Sequence, residues 1–202
     1  LHLGCGPDIK QGWVNIDLQV PPPHNVVPST SPATFAIDYD LRRPLPLDDE
    51  SCSYIYSCHF FEHLERDHGE ALMRECYRVL RPGSVFRVVL PDFKKTFAAY
   101  VANDRDFFDL VEVGGFLPKC ENGQRLMSDY VNFSVYQSGE HKQIYDEQTL
   151  KHLLENIGYS RVDISEVDKN SDDKYKIPYN FSKIDEFILN NTIVYQVFKK
   201  NN

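Results

Sequence analysis

The residues with the clearest chemistry are two glycines and an aspartate near the start of the sequence. Gly4 and Gly6 flank Cys5 directly after a short apolar run at residues 1–3. Glycine lets the backbone turn sharply and lets a ligand lie against it without a Cβ in the way. Asp17 ends a second apolar run 11 residues after Gly6, where its carboxylate can accept hydrogen bonds from both hydroxyls of a ribose. We therefore predict that this glycine loop (Gly4 to Gly6) and Asp17 bind a ribose-containing ligand.

Asp40 and Leu41 extend this prediction from a ribose to a nucleoside. Both follow a third apolar run at residues 34–37. An aspartate can accept a hydrogen bond from an adenine amino group, while a backbone amide donates to the ring. Asp38 is an alternative for the same role, and the simpler interpretation of Asp40 is an aspartate in a turn.

A dinucleotide site fits the glycine loop less well. The dinucleotide pattern requires G-x-G-x-x-G and an acidic residue about 20 residues further on. Here Pro7, Asp8 and Ile9 follow Gly6, and no third glycine stands at the required place. Asp8 would also be an unfavourable neighbour for a pyrophosphate. The loop therefore favours a nucleoside cofactor without phosphate and disfavours a nicotinamide-dependent oxidoreductase.

Candidates for acid–base chemistry come just after the next two apolar runs. His59 follows the fourth run, and histidine is the side chain most easily poised near neutral pH. We interpret it as a general base or as a group that orients the acceptor. The alternative is a histidine that shapes the pocket and is hydrogen-bonded to the backbone. Asp92 follows the fifth run and is a plausible acceptor contact. Glu62 and His63 are predicted to be structural, with Glu62 near a helix N-terminus, where negative charge is favoured.

The segment at about 104–145 has weak periodicity, and we interpret it as an insertion or lid. It carries Tyr130, Phe133 and Tyr136, and it ends near Gly139-Glu140-His141-Lys142. A lid made of these residues would cover an acceptor and exclude water. The alternative is a surface loop whose aromatic side chains pack on the domain. His141 is the third candidate catalytic residue.

Hydrophobic patterning predicts the elements that position these residues. Strands are predicted at residues 1–3, 13–18, 34–37, 54–57, 85–90, 161–167 and 193–198, and helices at 70–80, 93–101 and 147–157. Arg81-Pro82-Gly83 is expected to stop the first of these helices, and Asp146 and Gly158 to cap the last. Strands that alternate with helices predict an α/β fold with a doubly wound, mostly parallel sheet and helices on both faces. Ligands then bind outside the carboxyl ends of the strands, where all the candidates lie.

Taken in order, the motifs resemble a known family. They are LHLGCG at 1–6, VNID at 14–17, DLRRPLPL at 40–47, YSCHFFEHL at 56–64 and RVLRPG at 78–83. In this combination they are similar to class I S-adenosylmethionine (SAM)-dependent methyltransferases, and more narrowly to the type 11 group of predicted small-molecule methyltransferases. The resemblance is strong over residues 1–92 and looser over 146–198.

The resemblance implies a Rossmann-like sheet of seven strands with the last strand antiparallel. It also implies SAM as cofactor, S-adenosylhomocysteine (SAH) as product, and an acceptor that is a small molecule or sugar, methylated on O, N or C. The implied cofactor-binding residues are Gly4, Cys5, Gly6, Asp17, Leu18, Asp40, Leu41 and Ser57. Of these, the glycine loop and Ser57 would border the methionine part. The alternative is an inactive methyltransferase-like module that binds SAM or SAH without turnover.

The bulk composition narrows the class of protein. The 202 residues suit a single domain, and the net charge of −8 makes a nucleic-acid partner unexpected, because phosphate binding usually needs a basic face. The five cysteines include no CxxC pair, so we predict neither a metal site nor a disulfide framework but a reducing, cytoplasmic location. No apolar run has membrane-spanning length. The oligomeric state is left open between monomer and homodimer.

Overall fold

A seven-stranded sheet forms the centre of the computed structural model, which describes residues 1–19, 33–110, 126–166 and 192–200. The strands are β1 (His2–Leu3), β2 (Val14–Asp17), β3 (Phe35–Asp38), β4 (Cys52–Cys58), β5 (Leu80–Pro91), β6 (Tyr159–Glu166) and β7 (Thr192–Lys199). Their order is β3-β2-β1-β4-β5-β7-β6. β1 to β5 pair in parallel, and β7 runs antiparallel to both of its neighbours. The predicted fold class, including the antiparallel last strand, is confirmed.

Helices follow the strands much as the sequence predicts. They are α1 (Arg66–Val79), α2 (Phe93–Ala102), α3 (Arg105–Leu110), α4 (Met127–Tyr136) and α5 (Glu147–Ile157), with short 3₁₀ turns at Phe61–His63 and Gln137–Gly139. The caps of α5 are those predicted. The Asp146 carboxylate accepts a hydrogen bond from the Thr149 N–H at 2.7 Å, and Gly158 ends the helix with a φ of 119°.

The end of α1 differs from the prediction. Arg81-Pro82-Gly83 does not stop the helix, because Leu80 has already left it with extended backbone and is paired with Cys52 of β4. Regular pairing resumes between Tyr54 and Val85, so the intervening residues of β5 form a bulge. The Leu80 side chain is fully buried. Packing and strand pairing therefore end the helix before the proline does.

The main hydrophobic core joins the sheet to α1 and α5. The sheet contributes Leu3, Ile16, Ile55, Phe86 and Val88, and the helices contribute Leu72, Met73, Cys76, Leu150 and Leu154. This packing fixes the carboxyl ends of β1, β2, β4 and β5 at one edge of the sheet. The loops that carry the predicted site residues all leave from that edge.

The segment predicted as an insertion or lid contains α3 and α4. These helices pack on α2 through a separate small core of Ala99, Phe108 and Tyr130. Whether they cover an acceptor stays a prediction. Residues 20–32, residues 171–180 and Cys120 lie outside the described residues. Within the described part of the chain, no helix has the length and apolar character needed to cross a membrane.

Candidate functional site

The glycine loop lies at the carboxyl end of β1 and is tied to β2. The Gly6 N–H donates to Asp17 Oδ2 at 2.8 Å, and the Leu18 N–H donates to Asp17 Oδ1 at 2.6 Å. The Gly4 N–H donates to the Ile16 carbonyl at 2.9 Å. A carboxylate offers roughly four lone-pair sites, so Asp17 keeps acceptor capacity for two hydroxyls. The arrangement fits the predicted ribose contact.

The two glycines of the loop are favoured over other residues for different physical reasons. Both have positive φ, 63° at Gly4 and 48° at Gly6. A Cβ built on Gly4 would lie 2.1 Å from Cγ of Phe60, whereas one built on Gly6 would meet no atom within 4 Å. Gly4 therefore makes room for the Phe60 ring. Gly6 leaves an open face on which a cofactor can lie.

Ser57 and Cys5 line the same edge but differ in chemistry. The Ser57 hydroxyl is buried and has no hydrogen-bond partner among the described residues. Such a group is costly unless a ligand or water satisfies it, which fits the predicted position beside a cofactor. Burial raises the pKa of the Cys5 thiol to about 12, so this cysteine is protonated at neutral pH and contributes as a packing residue.

The carboxylate of Asp40, which is predicted to bind adenine together with Leu41, already has a protein partner. Arg42 holds the Asp40 carboxylate through two hydrogen bonds, Nε to Oδ1 and Nη2 to Oδ2, both 2.8 Å long. These bonds lower the pKa of Asp40 to about 2. An adenine amino group would therefore have to share an oxygen with Arg42. The Leu41 side chain is buried, while the Leu18 side chain next to Asp17 is 61% exposed.

His59 stands directly after β4 in the left-handed region, with a φ of 48°. Its backbone N–H donates to the Val89 carbonyl at 3.0 Å. Its ring lies between two protein groups, with Nε2 3.0 Å from Thr192 Oγ1 and Nδ1 3.3 Å from Glu62 Oε1. A histidine with a carboxylate on one nitrogen and a hydroxyl on the other has the geometry of an oriented proton acceptor.

Glu62 lies in the first turn of the 3₁₀ helix that precedes α1, which itself begins at Arg66. Its side chain is fully buried, and neither carboxylate oxygen has a hydrogen-bond partner among the described residues. Its backbone carbonyl accepts from the amides of Lys142 at 2.8 Å and Gln143 at 3.1 Å.

These backbone bonds bring His141 beside His63. The two imidazole rings lie 4.9 Å apart between centroids, and His141 Nδ1 lies 2.7 Å from the Ser134 carbonyl oxygen. Burial lowers the pKa of His141, and the nearby Glu62 opposes that shift. The structure thus assembles a histidine cluster, which we define as His59, Glu62, His63 and His141.

Asp92 caps α2, where its Oδ1 accepts from the Lys95 N–H at 3.2 Å. It also lines a cavity of about 920 Å³ between α2, α5 and β7, together with Lys94, Lys151 and Thr192. None of the glycine loop lines this cavity. The predicted acceptor contact by Asp92 stays a prediction.

Comparison with known proteins shows which family the site region is similar to. A family model described as a methyltransferase domain, of the type 11 group, matches residues 24–88, which run from before β3 into β5. Over these residues the chain is similar to a type 11 methyltransferase domain. The open face of Gly6, the spare acceptor sites of Asp17 and the orphaned hydroxyl of Ser57 fit a SAM cofactor.

Solved methyltransferase structures are similar to this chain in fold. A SAM-dependent methyltransferase from Methanosarcina mazei is 14% identical with a TM-score of 0.54, and the match covers 100% of this chain and 92% of that one. A SAM-dependent methyltransferase from Archaeoglobus fulgidus is 17% identical with a TM-score of 0.48, over 82% of this chain and 68% of that one. A possible histamine N-methyltransferase from Thermotoga maritima is 14% identical with a TM-score of 0.47, over 83% of this chain and 64% of that one. The matches thus span about two thirds of the last two structures. No curated protein matches at the level of sequence.

Of three further residues that shape the candidate site, the sequence predicts only a structural role for Glu62 and no role for Phe60 or Thr192. Phe60 packs on Gly4, Glu62 is the buried centre of the histidine cluster, and Thr192 contacts His59 across 133 positions of sequence. Phe60 and Glu62 lie inside a quoted motif, but nothing in their spacing shows which of them is buried. Thr192 begins the last strand, and only the pairing of β7 with β5 brings it to His59.

Proposed function

We propose that this methyltransferase transfers the methyl group of SAM to an oxygen, nitrogen or carbon atom of a small-molecule or sugar acceptor, with His59 as general base. The observation that carries the proposal is the fully buried Glu62 carboxylate 3.3 Å from Nδ1 of His59. SAM supplies, when bound, an electrophilic methyl group on a positively charged sulfur. The protein must then position the acceptor and remove its proton.

Glu62 equips His59 for proton removal. A buried carboxylate beside one imidazole nitrogen stabilises the imidazolium that forms when the other nitrogen takes a proton. With Nδ1 facing Glu62, Nε2 is the accepting atom, and the Thr192 hydroxyl marks the place where an acceptor hydroxyl or amine would approach. The left-handed backbone of His59 adds support, because backbone strain of this kind clusters at functional sites.

The remaining predicted residues divide between the two reactants. The glycine loop and Ser57 would border the methionine part of the cofactor. Asp17 and Leu18 would hold its ribose, and Asp40 with the Leu41 amide its adenine. Asp92 and His141 would contact the acceptor, with α3 and α4 as its cover. Buried Tyr130 ties α4 to α2, so the cover would be a packed layer of helices.

A labelled-methyl assay with a matched histidine pair tests the proposal. Turnover of methyl-tritiated SAM is measured across a panel of phenols, amines, carboxylates and monosaccharides. We expect His59→Ala to abolish turnover while the Kd for SAM stays within a few fold. His68→Ala removes an exposed histidine of α1 and is expected to leave both unchanged. Turnover by His59→Ala at the wild-type rate would exclude the base role.

The second candidate is a module that binds SAM or SAH without turnover. One contact favours it, since the Phe60 ring covers Gly4, against which the methionine part is expected to lie. Such a module would bind SAM in titration calorimetry yet transfer no label to any acceptor in the panel. Label transfer to a single compound excludes it.

The proposed enzyme acts in the reducing cytoplasm. Support comes from the cysteines, since Cys5, Cys52, Cys58 and Cys76 are all free thiols. Cys5 and Cys76 are buried among core residues and serve as small apolar side chains.

A further inference from the structure

The histidine cluster contains three side chains that could bind a metal ion, and the proposed function gives none of them that role. Glu62, His63 and His141 each offer a ligand atom, and the three atoms lie within 4.8 Å of one another. Two imidazoles and one carboxylate are the donor set of catalytic zinc sites, which leave a fourth position open. We propose that Glu62, His63 and His141 bind a divalent transition-metal ion.

The burial of Glu62 is the second observation that points to a cation. Its side chain is fully buried, and both oxygens lack a hydrogen-bond partner among the described residues. A buried carboxylate without compensation is strongly unfavourable. His59 Nδ1 lies 3.3 Å from Oε1 but without hydrogen-bond geometry, so it compensates the charge only in part. A cation between the carboxylate and the two imidazoles would complete the compensation.

The hydrogen bond of His141 prepares its ring for a metal. The Ser134 carbonyl can only accept, so the 2.7 Å contact requires a proton on His141 Nδ1. The lone pair is then on Nε2. Metal-ligating histidines usually donate their other ring N–H to a carbonyl or carboxylate in this way.

The surrounding chain holds the three ligands in one place. Glu62 and His63 share a 3₁₀ turn, and the Lys142 and Gln143 amides fasten the segment after His141 to the Glu62 carbonyl. The buried Phe93 packs edge-on against the His141 ring, with centroids 6.3 Å apart. Ligand atoms up to 4.8 Å apart would need to close by about 1.4 Å to reach the spacing of a tetrahedral zinc site.

The location gives the ion a role that rests on the proposed function. Phe60, in the same loop as Glu62, contacts Gly4 of the glycine loop, so the metal would lie on the acceptor side of the SAM site. An acceptor oxygen in the open position would be oriented by the ion and would lose its proton more easily. His59, beside the other oxygen of Glu62, would be placed to take that proton.

Zinc and cobalt binding test the site without reference to turnover. Protein stripped with a chelator is titrated with Zn²⁺ by calorimetry and with Co²⁺ by visible absorption. We expect one ion per chain, micromolar or tighter, with cobalt bands typical of low coordination number. At a hundredfold excess over Kd, Zn²⁺ should raise the Tm by about 5 °C.

Matched variants assign the binding to these residues. Glu62→Gln and His141→Gln, which keep side-chain size, are expected to weaken Zn²⁺ at least thirtyfold. Glu65→Gln and His68→Ala, both exposed and next to the cluster in sequence, should not change it. Circular dichroism and SAM binding establish that each variant is folded. Absence of binding by the wild-type protein, or equal binding by Glu62→Gln and His141→Gln, overturns the proposal.

The outcomes separate this site from the proposed function. If Zn²⁺ binds through Glu62 and His141, the site stands even when no acceptor in the panel is methylated. If methylation proceeds and no ion binds, the reaction does not depend on a metal ion in the histidine cluster. In that case the general-base proposal survives and the metal site does not.

Discussion

The glycine loop and the histidine cluster lie at the same edge of the sheet but are built in opposite ways. The glycine loop and Asp17 come from adjacent strands and close onto each other through hydrogen bonds only 11 positions apart. The histidine cluster draws on residues 59 to 63, His141 and the contact with Thr192. Asp17 is satisfied by backbone amides, whereas Glu62 is buried with neither oxygen hydrogen-bonded among the described residues. The carboxylate of the locally built site is thus hydrogen-bonded by its own loop. The carboxylate of the site built from distant segments is not hydrogen-bonded by the described residues.

Phe60 joins the two regions, and replacing Gly4 would break that junction. Gly4→Ala is expected to lower the free energy of unfolding by about 4 kcal/mol, because a Cβ would overlap the Phe60 ring and the positive φ disfavours alanine. Gly6→Ala is the matched control. It shares the positive φ but meets no atom, so about 1.5 kcal/mol is expected.

Urea denaturation of a double-mutant cycle measures the junction itself. In a Phe60→Ala background, Gly4→Ala should cost only about 1.5 kcal/mol, which leaves a coupling of about 2.5 kcal/mol. Equal costs of Gly4→Ala in the two backgrounds would mean that the two regions are independent.

The contrast between the regions also explains what the sequence could predict. The positions of the strands along the chain, the α5 caps and the pairing of the glycine loop with Asp17 depend on periodicity and short spacing, which a single sequence displays. The early end of α1 could not be predicted, because it depends on Leu80 pairing with Cys52 and packing in the core. α4 was missed because its serine and asparagine weaken the apolar pattern, while its stability comes from packing on α2. The burial of Glu62 depends on residues near 142, about 80 positions away.

A histidine with a lowered pKa lies next to the glycine loop and another lies in the histidine cluster, so acid should affect the two regions differently. Burial lowers the pKa of His2, which lies just before the glycine loop, to about 4 from an ordinary 6.5; its bond to Asn15 opposes the shift. The unfolded chain therefore binds a proton more readily than the folded chain between pH 6.5 and 4. His2 contributes stability that is present above pH 6.5 and is lost as the pH falls, about 3 kcal/mol in all.

His2→Gln isolates this contribution, because glutamine can donate to Asn15 but does not titrate in this range. We expect the loss of unfolding free energy between pH 6.5 and 4 to shrink by about 3 kcal/mol in this variant. His152→Gln, at an exposed position of α5, should keep the full loss. If His2→Gln also keeps the full loss of unfolding free energy, the acid sensitivity arises elsewhere. His141 in the histidine cluster is then the next residue to replace, because burial lowers its pKa as well.

Replacing Asp17 tests whether the cofactor binds mainly through the glycine loop and Asp17. Asp17→Asn keeps the shape but replaces one acceptor oxygen with a donor and removes the charge. We expect the Kd for SAM to rise about thirtyfold, equivalent to about 2 kcal/mol, the usual worth of hydrogen bonds to a charged group. Asp40→Asn should raise it by only about threefold, because Arg42 already occupies both carboxylate oxygens. Exposed Asp48→Asn is the control. A larger effect at Asp40 than at Asp17 in calorimetry would move the nucleoside contact to the end of β3 and leave Asp17 as a brace for Gly6.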